Sequence, residues 1–208
     1  MAESLIYFKI HLQKSLKNFH TKDLTDVTIN KTYIQQLSYN GMSYSNGSVV
    51  DVYEKYHIIC QDFPFKKNPK PKDLPTRNWA GAHGQDVYIP DVIPMKEYEV
   101  EATFLYVGTK ANIRTDVSGF LDFIYGRVKG KSTDTVQSGR LAIYDEYVAM
   151  GRKDVVVSEV DNELYWATDA DPDAIAKFKV KFMVYDPVTE VTATVASGQS
   201  AVTNLSFS

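Results

Sequence analysis

The sequence contains few of the residues on which common functional sites depend. Cys60 is the single cysteine among 208 residues, so an internal disulfide is impossible and a disulfide-stabilised secreted scaffold is excluded. The four histidines are scattered along the chain, which disfavours a zinc site built from histidine and cysteine. This cysteine usage is typical of proteins that fold in a reducing cytoplasm.

Charge and hydropathy argue against two further classes of protein. The formal net charge of −3 and the pI of about 5.8 provide no broad positive field for binding nucleic acid through its phosphates. No apolar run approaches the roughly 18 residues that a membrane-spanning helix needs. The first residues carry Glu3 where an export signal has positive charge. We therefore expect no specific nucleic-acid binding and no membrane insertion.

Aromatic residues and turn signals are abundant and favour a mainly β protein. The chain has 14 tyrosines and 10 phenylalanines, residues that pack well on pleated sheets. Asn40-Gly41 and Asn46-Gly47 supply the positive φ that tight hairpin turns require. After residue 140 the pattern predicts a meander of three short strands, with turns at Asp145-Glu146 and at Gly151.

Two segments alternate apolar and polar residues most clearly. In EYEVEATFLYV the even-numbered positions from Tyr98 to Tyr106 are apolar or small, and glutamates occupy most of the odd positions. Residues 177–182 alternate lysine with phenylalanine or valine. Period-two alternation predicts strands that have one buried face and one solvated face.

One segment has the period of an α-helix and is expected near residues 116–127. Apolar residues recur there at i, i+3, i+4 and i+7, at Val117, Phe120, Leu121 and Ile124. Thr115 or Asp116 is the expected N-cap and Gly126 the expected end. The predicted fold is a β-barrel or sandwich of antiparallel strands flanked by this one helix.

Changes in periodicity and residue composition divide the chain into three parts. Residues 1–36 show weak periodicity and are interpreted as an N-terminal arm or extension. Residues 37–190 hold the predicted strands and helix and form the β-barrel domain. Residues 191–208 are rich in Thr, Val, Ser and Ala and are interpreted as a C-terminal tail, either a strand that pairs with a neighbour or a mobile end.

A segment rich in proline and lysine, residues 64–77, is expected to form an extended, solvated loop. Its lysines and two aromatic residues that follow are the candidate interface residues, because exposed aromatics anchor protein interfaces. These candidates are Lys66, Lys67, Lys70, Lys72, Trp79 and Tyr88.

Residues 78–91, NWAGAHGQDVYIPD, combine a histidine with two glycines and two aspartates. No second histidine or cysteine pair lies nearby to complete a metal site. We interpret the stretch as a turn that leads into a strand starting at Asp86 and ending at Pro90. A hydrolase site around His83 and Asp86 is a third hypothesis.

Two further motifs fall short of their consensus. GRVKGKS, residues 126–132, has three residues between its glycines where a phosphate-binding loop has four, and it follows a helix. Asp169, Asp171 and Asp173 alternate like calcium ligands, but Ala174 stands where the EF-hand has glycine; an incidental calcium site is the alternative. We predict no catalytic residue, no cofactor and no metal, and expect that the chain is not an enzyme.

A series of short segments follows one another in a recognisable order. The segments are YNGMSYS, YHIICQDFPF, DVYIP, EVEATFLYVG, GFLDFIYGR, LAIYDEYV, GRKDVVVSEV and KFKVKFMVYDPVT. This order, over residues 37 to about 190, resembles the ring-forming barrel domain of phage distal tail proteins and related tail-tube folds. The most telling parts are Tyr144-Asp145, Gly151-Arg152 and the closing F-x-V-x-F-x-V before Asp186-Pro187.

The resemblance implies a structural protein of the virion tail, made in the host cytoplasm. Such a protein forms a homo-oligomeric ring, a hexamer, around the tail lumen and docks adjacent tail or baseplate proteins. Two departures are an extra N-terminal arm and an end soon after Asp186-Pro187, where many distal tail proteins continue into a galectin-like domain. The type of ring, whether distal tail, tube or completion protein, stays open. The alternative function is a carbohydrate-binding module or adhesin that uses Trp79, Trp166 or Tyr88.

Overall fold

The computed structural model describes residues 31–80, 83–166, 173–195 and 202–208. These residues form antiparallel β-structure with two helices, which confirms the predicted fold class. The strands are β1 (Thr32–Tyr39), β2 (Tyr44–Asp51), β3 (Ile58–Asp62), β4 (Thr76–Arg77), β5 (Asp86–Val87), β6 (Tyr98–Thr109), β7 (Leu141–Asp145), β8 (Met150–Trp166), β9 (Asp173–Val184), β10 (Glu190–Val195) and β11 (Val202–Phe207). The helices are α1 (Val52–Tyr56) and α2 (Ile113–Ile124).

The long strand β8 joins two layers of one sheet. Its first residues pair with β7 on one side and with β10 on the other, whereas its later residues pair with β9. Val155 lies at the change, because it is opposite both Leu141 and Val184. The first layer therefore has the order β2-β1-β7-β8-β10-β11, and the second has the order β8-β9-β6-β3.

Two hydrophobic cores lie on opposite faces of β1. Ile34 packs into the larger core, which lies between the two layers and under α2. Tyr33 and Leu37 pack into a smaller core beneath the β10–β11 hairpin. All three of these β1 side chains are at most 1% exposed, so β1 is buried on both faces.

Aromatic rings fill the larger core. Phe104 of β6 lies 5.1 Å from Phe120 of α2 and 5.7 Å from Phe178 of β9, measured between ring centroids. The predicted buried face of β6 is confirmed, since Tyr98 to Tyr106 are buried at every even-numbered position. Fully burying each phenylalanine contributes about 1.5–3 kcal/mol.

The helix begins and ends three residues earlier than predicted. Its N-cap is Asn112, whereas Asp116 lies in the first turn. The Asp116 carboxylate accepts a hydrogen bond from the Tyr106 hydroxyl at 3.2 Å instead of capping the helix. Gly126, with φ 72°, follows the helix as predicted. The short helix α1 was not predicted.

Both proposed domain boundaries fall within the sheet. Residues 32–36 belong to β1, because all five pair with β7, and their side chains are buried. Residues 191–195 and 202–207 form a hairpin attached to β8, and Val191, Val202 and Leu205 pack into the smaller core. Residues 1–30 of the proposed arm lie outside the described residues.

Of the four predicted turns, two were right and two were wrong. The turn at Asp145-Glu146 is right, since β7 ends at Asp145 and the Ala149 N–H donates to the Glu146 carbonyl. Gly41, with φ 94°, lies between β1 and β2 as expected. Gly47 lies inside β2. Gly151 lies inside β8, so β7 and β8 form one hairpin and the three-stranded meander is wrong. Glycine is needed at position 151 because a Cβ there would overlap the carbonyl of Ile143.

Candidate functional site: an excursion between two strands

Residues 63–97, which connect β3 to β6, leave the body of the fold and return to it; we call them the excursion. Its outgoing and returning arms pair with each other. The Lys72 N–H donates to the Pro94 carbonyl, and the Lys96 N–H donates to the Lys70 carbonyl, both at 2.8 Å. Farther out, the short strands β4 and β5 pair. The predicted Pro- and Lys-rich loop is therefore one arm of a hairpin-like structure.

Aromatic residues fix the base of the excursion. Phe63 is 1% exposed, and its ring stacks on Phe65 at 4.3 Å and on Phe182 at 5.4 Å between centroids. At the returning end, the Tyr98 hydroxyl accepts a hydrogen bond from the Lys66 N–H at 3.2 Å. The base is thus part of the larger core.

Arg152 ties the base of the excursion to the turn between β9 and β10. This arginine is 1% exposed. Its guanidinium donates to the carbonyl of Lys66 at 3.0 Å and to the carbonyls of Val188 and Thr189 at 3.3 Å. It binds backbone carbonyls and has no ion pair with a carboxylate of the described residues.

Trp79 is held in place at the outer part of the excursion. The guanidinium of Arg77 lies 3.6 Å from the centroid of the indole ring, and the indole Nε1 donates to Asp86 at 2.9 Å. The side chain remains 49% exposed. An aromatic surface is therefore presented to solvent in a defined orientation.

Other large apolar side chains of the excursion are also exposed to solvent. Tyr88 is 69% exposed and Val92 is 82% exposed. We define the apolar strip as Trp79, Val87, Tyr88, Ile89, Val92 and Ile93, each at least 43% exposed. A group of exposed apolar side chains on one segment is typical of a protein interaction site.

All six predicted interface residues lie on the excursion, and their role in an interface stays a prediction. Trp79 and Tyr88 belong to the apolar strip. The other four are exposed on the outgoing arm and are Lys66, Lys67, Lys70 and Lys72. Their charges are suited to the rim of an interface, where they steer association.

The histidine and aspartate of the hydrolase hypothesis have different surroundings. His83 is exposed, and Asp86 accepts the indole hydrogen bond of Trp79. Among the residues described here, no group of three or more His, Cys, Asp or Glu side chains could hold a metal ion. Of the proposed calcium ligands, Asp169 and Asp171 lie outside the described residues.

A cluster of polar side chains, formed by His57, Tyr106 and Asp116, connects the start of β3 to α2. His57, which follows α1 with φ 54°, places its Nδ1 3.0 Å from Asp116. Burial and the neighbouring Asp116 carboxylate raise the pKa of Tyr106 to about 12. The cluster fixes the end of α1 against the first turn of α2, which gives it a structural role.

The solvated face of β6, β8 and β9 is covered by ion pairs. Lys179 Nζ lies 2.5 Å from the carboxylate of Glu101, and Lys181 Nζ lies 2.6 Å from that of Glu159. Burying such charges against a partner carries a large desolvation cost. This face is therefore a poorer surface for assembly than the apolar strip.

Four apolar residues of the strip were missed by sequence reasoning, and they are Val87, Ile89, Val92 and Ile93. The signal was the segment VYIPDVIP, in which two prolines interrupt an apolar run. A buried strand does not tolerate proline at such positions. An apolar run that contains prolines therefore pointed to exposed apolar residues.

Comparison with known proteins found nothing similar to this chain: no family model matches, and no curated protein or solved structure matches. Within the described ranges, neither helix is long and apolar enough to cross a membrane.

Proposed function

We propose that the chain is a structural subunit of a phage or phage-like tail, of the distal tail or tail-tube type. Copies of the chain assemble into a ring, a hexamer, around the tail lumen. The ring docks adjacent tail or baseplate proteins in the virion tail after synthesis in the host cytoplasm. The subunit carries out no catalysis and needs no cofactor.

The apolar strip of the excursion is the observation that carries this proposal. Burying a tyrosine or valine of the strip against a neighbouring copy contributes on the order of 1.5–3 kcal/mol per side chain. The strip differs from the body, whose solvated β6–β8–β9 face is covered by ion pairs. A contact between the strip of one copy and a different surface of the next is heterologous, and it closes into a ring when the rotation between copies permits.

The excursion is also suited to this task because its base is ordered. Phe63 and the Arg152 hydrogen bonds hold the base, and the two arms pair with each other. A surface that is ordered before binding loses less conformational entropy when it binds. The strip is therefore presented in a form ready for association.

Light scattering after size-exclusion chromatography, combined with electron microscopy, tests the proposal. We expect rings at high protein concentration. Tyr88→Asp should raise the concentration at half-assembly at least about tenfold, since burial of one tyrosine is worth about 1.4 kcal/mol or more. Tyr147→Asp is the matched control, because Tyr147 is 71% exposed and lies on the β7–β8 turn. A chain that stays monomeric and forms no rings argues against the proposal.

Trp79 supports a second candidate function, a carbohydrate-binding module or adhesin. Arg77 and Asp86 fix the indole, and the residue is 49% exposed. Exposed aromatic rings in a fixed orientation stack on sugar rings. Glycan-array binding that is lost in Trp79→Ala and retained in Tyr147→Ala would favour this candidate. Trp166 lies at the end of β8 and stays a prediction in the same role.

A further inference from the structure

Two strand edges of the first layer face each other across an open cleft. Among the described residues β2 pairs only with β1, and β11 pairs only with β10. The strands come together at Tyr44 and Phe207, whose ring centroids lie 5.0 Å and 6.0 Å from Lys153 Nζ. Farther along, a cleft of about 610 Å³ lies between residues 46–49 and residues 202–204. Small-molecule sites in proteins have volumes of about 300–1,000 Å³, so the cleft has the size of a ligand site.

The floor of the cleft contains an unused hydrogen-bond acceptor. Gln35 of β1 lines the cleft and is 3% exposed. Its Nε2 donates to the Gly47 carbonyl at 2.7 Å. Because a carbonyl oxygen only accepts, this bond fixes which end of the amide is the oxygen. Oε1 is buried and has no hydrogen-bond partner in the described part of the chain. A buried acceptor without a donor is destabilising, so a ligand that donates a hydrogen bond is favoured here.

Polar side chains along both walls of the cleft are free to bind a ligand. They are Asn46 on β2 and Thr203 and Asn204 on β11, and all three are exposed. Their side chains form no hydrogen bond with other described residues. The outer edges of the two strands add backbone N–H and C=O groups. Donors and acceptors are therefore mixed on both sides of the cleft.

The charges around the cleft favour a neutral ligand. Of the described residues that line it, only Lys131 is charged, and its ammonium group forms no ion pair within the described ranges. The Asp134 carboxylate lies close by, because it accepts hydrogen bonds from the Lys131 N–H at 2.8 Å and from the Ser48 hydroxyl. One positive and one negative charge are therefore close together, whereas a phosphorylated ligand is bound best by an excess of cations.

A sugar has the chemical groups that the cleft requires. A hydroxyl group both donates and accepts hydrogen bonds, so one kind of group can pair with the Gln35 oxygen, the Lys131 ammonium and the amides of the walls. A carboxylate only accepts and would leave the Gln35 oxygen without a donor. An ammonium group would be repelled by Lys131. The C–H groups of a sugar ring would contact Val49 and Val202, the two valines that line the cleft.

We propose that the cleft between β2 and β11 is a binding site for a neutral sugar. Gln35 accepts a hydrogen bond from one hydroxyl group at the floor, and Lys131 donates to another at the rim. The amide and hydroxyl side chains of the walls bind the remaining hydroxyl groups. The site uses neither Trp79 nor Tyr88, so it differs from the second candidate function on the excursion. It is also independent of the proposed tail function, since it lies within a single subunit.

Saturation-transfer difference NMR on the full chain tests the proposal, because this method detects weakly bound ligands of both small and large proteins. The probes are the neutral disaccharides maltose, lactose, cellobiose and sucrose at about 10 mM, a concentration that reveals dissociation constants in the millimolar range. We expect a signal from at least one of them. Lys131→Ala should reduce this signal at least about threefold, since a hydrogen bond from a charged donor is lost. Lys129→Ala is the matched control and should leave the signal unchanged, because Lys129 is exposed in the same loop and does not line the cleft.

Two further variants locate the bound sugar. Asn204→Trp places an indole at an exposed position of the cleft wall, so it should abolish the signal without changing the core. Trp79→Ala removes the exposed indole of the excursion and should leave the signal unchanged.

Three results would overturn the proposal. The absence of a signal from every probe would mean that the cleft holds water only. A signal that survives in both Lys131→Ala and Asn204→Trp would place the sugar elsewhere on the chain. A signal that is lost in Trp79→Ala would assign the sugar to the excursion instead of the cleft.

Discussion

The guanidinium of Arg152 donates a hydrogen bond at 3.0 Å to the backbone carbonyl of Lys66, which lies 86 positions earlier in the chain. The same group also binds the carbonyls of Val188 and Thr189. Arg152 therefore joins three segments that are far apart in sequence. Arg152 thus helps to hold the excursion on the body, together with the ring contacts of Phe63 and the hydroxyl of Tyr98.

Arg152→Met should destabilise the fold and loosen the base of the excursion. The methionine fills similar space but removes the donor of three partly buried carbonyls, so we expect a loss of about 2–4 kcal/mol in the free energy of unfolding. Urea denaturation measures this loss. Limited proteolysis should then cut first within residues 63–97.

Arg127→Met is the control for the Arg152 substitution. The Arg127 side chain is 67% exposed and pairs with Asp122 at 3.1 Å. A surface ion pair contributes at most about 1 kcal/mol. Equal losses in the two variants, or unchanged proteolysis of the excursion in Arg152→Met, would show that Arg152 does not hold the excursion.

Gly126→Ala should be more destabilising than Gly41→Ala. Both glycines have positive φ, 72° and 94°. A Cβ at Gly126 would overlap the backbone of Ser138 and Gly139, whereas a Cβ at Gly41 would meet nothing within 4 Å. We expect a cost of about 1 kcal/mol at Gly41, from conformation alone, and at least about 3 kcal/mol at Gly126.

Thermal and urea denaturation of the two glycine variants measure this difference. The comparison separates the strain of a positive φ from the steric overlap, because the first is common to both sites. Similar losses at both positions would mean that the loop at Ser138 moves away from the helix end at little cost.

Sequence patterns predicted the elements that have one solvent-exposed face and one buried face. The alternation in β6 arises because positions 99, 101 and 103 face solvent or ion pairs, while Phe104 and the other even-numbered positions up to Tyr106 face the larger core. β1 offers no such contrast. Ile34 and Leu37 are buried in different cores, and the register shifts between Gln35 and Leu37.

The helix boundary was misplaced because a local signal had a long-range partner. Asp116 has the side chain of an N-cap, but its carboxylate binds Tyr106 and His57. Only part of the candidate site on the excursion could be predicted from the sequence, for the same reason. The lysines and Trp79 were evident from composition, whereas the role of Arg152 depends on carbonyls that no local pattern indicates.

Tyr106→Phe should reduce the loss of stability at alkaline pH. Burial and Asp116 raise the pKa of Tyr106 to about 12, against about 10 in an unfolded chain. Its contribution to stability is therefore complete below about pH 10 and is lost as the pH rises toward about 12. The phenylalanine variant lacks this ionisation, so its stability should fall less across the same range.

Urea denaturation at about pH 9 and about pH 11 measures the two declines. Tyr147→Phe is the control, since Tyr147 is 71% exposed. At neutral pH the Tyr106→Phe protein should be less stable than the wild type, because it lacks the hydroxyl proton that the Asp116 carboxylate and the Thr109 carbonyl share as acceptors. An equal alkaline decline in the wild type and in Tyr106→Phe would contradict the assignment.

Gln36→Leu should destabilise the junction between β1 and the end of α2. Gln36 is 1% exposed, and its Nε2 donates to the carbonyls of Phe123 and Val128, both at 2.8 Å. Leucine fills the space but removes the Gln36 donor from both carbonyls, of which the Phe123 carbonyl keeps the Gly126 N–H, so we expect a loss of about 1–3 kcal/mol. Gln137 offers a matched control, because its Nε2 also donates to two carbonyls after α2, those of Gly126 and Arg127, from an exposed position. Water replaces the donor there, so Gln137→Leu should cost no more than about 0.5 kcal/mol in urea denaturation. If the two leucine variants lose the same stability, burial does not give the Gln36 amide its importance, and the helix end is held by its apolar contacts instead.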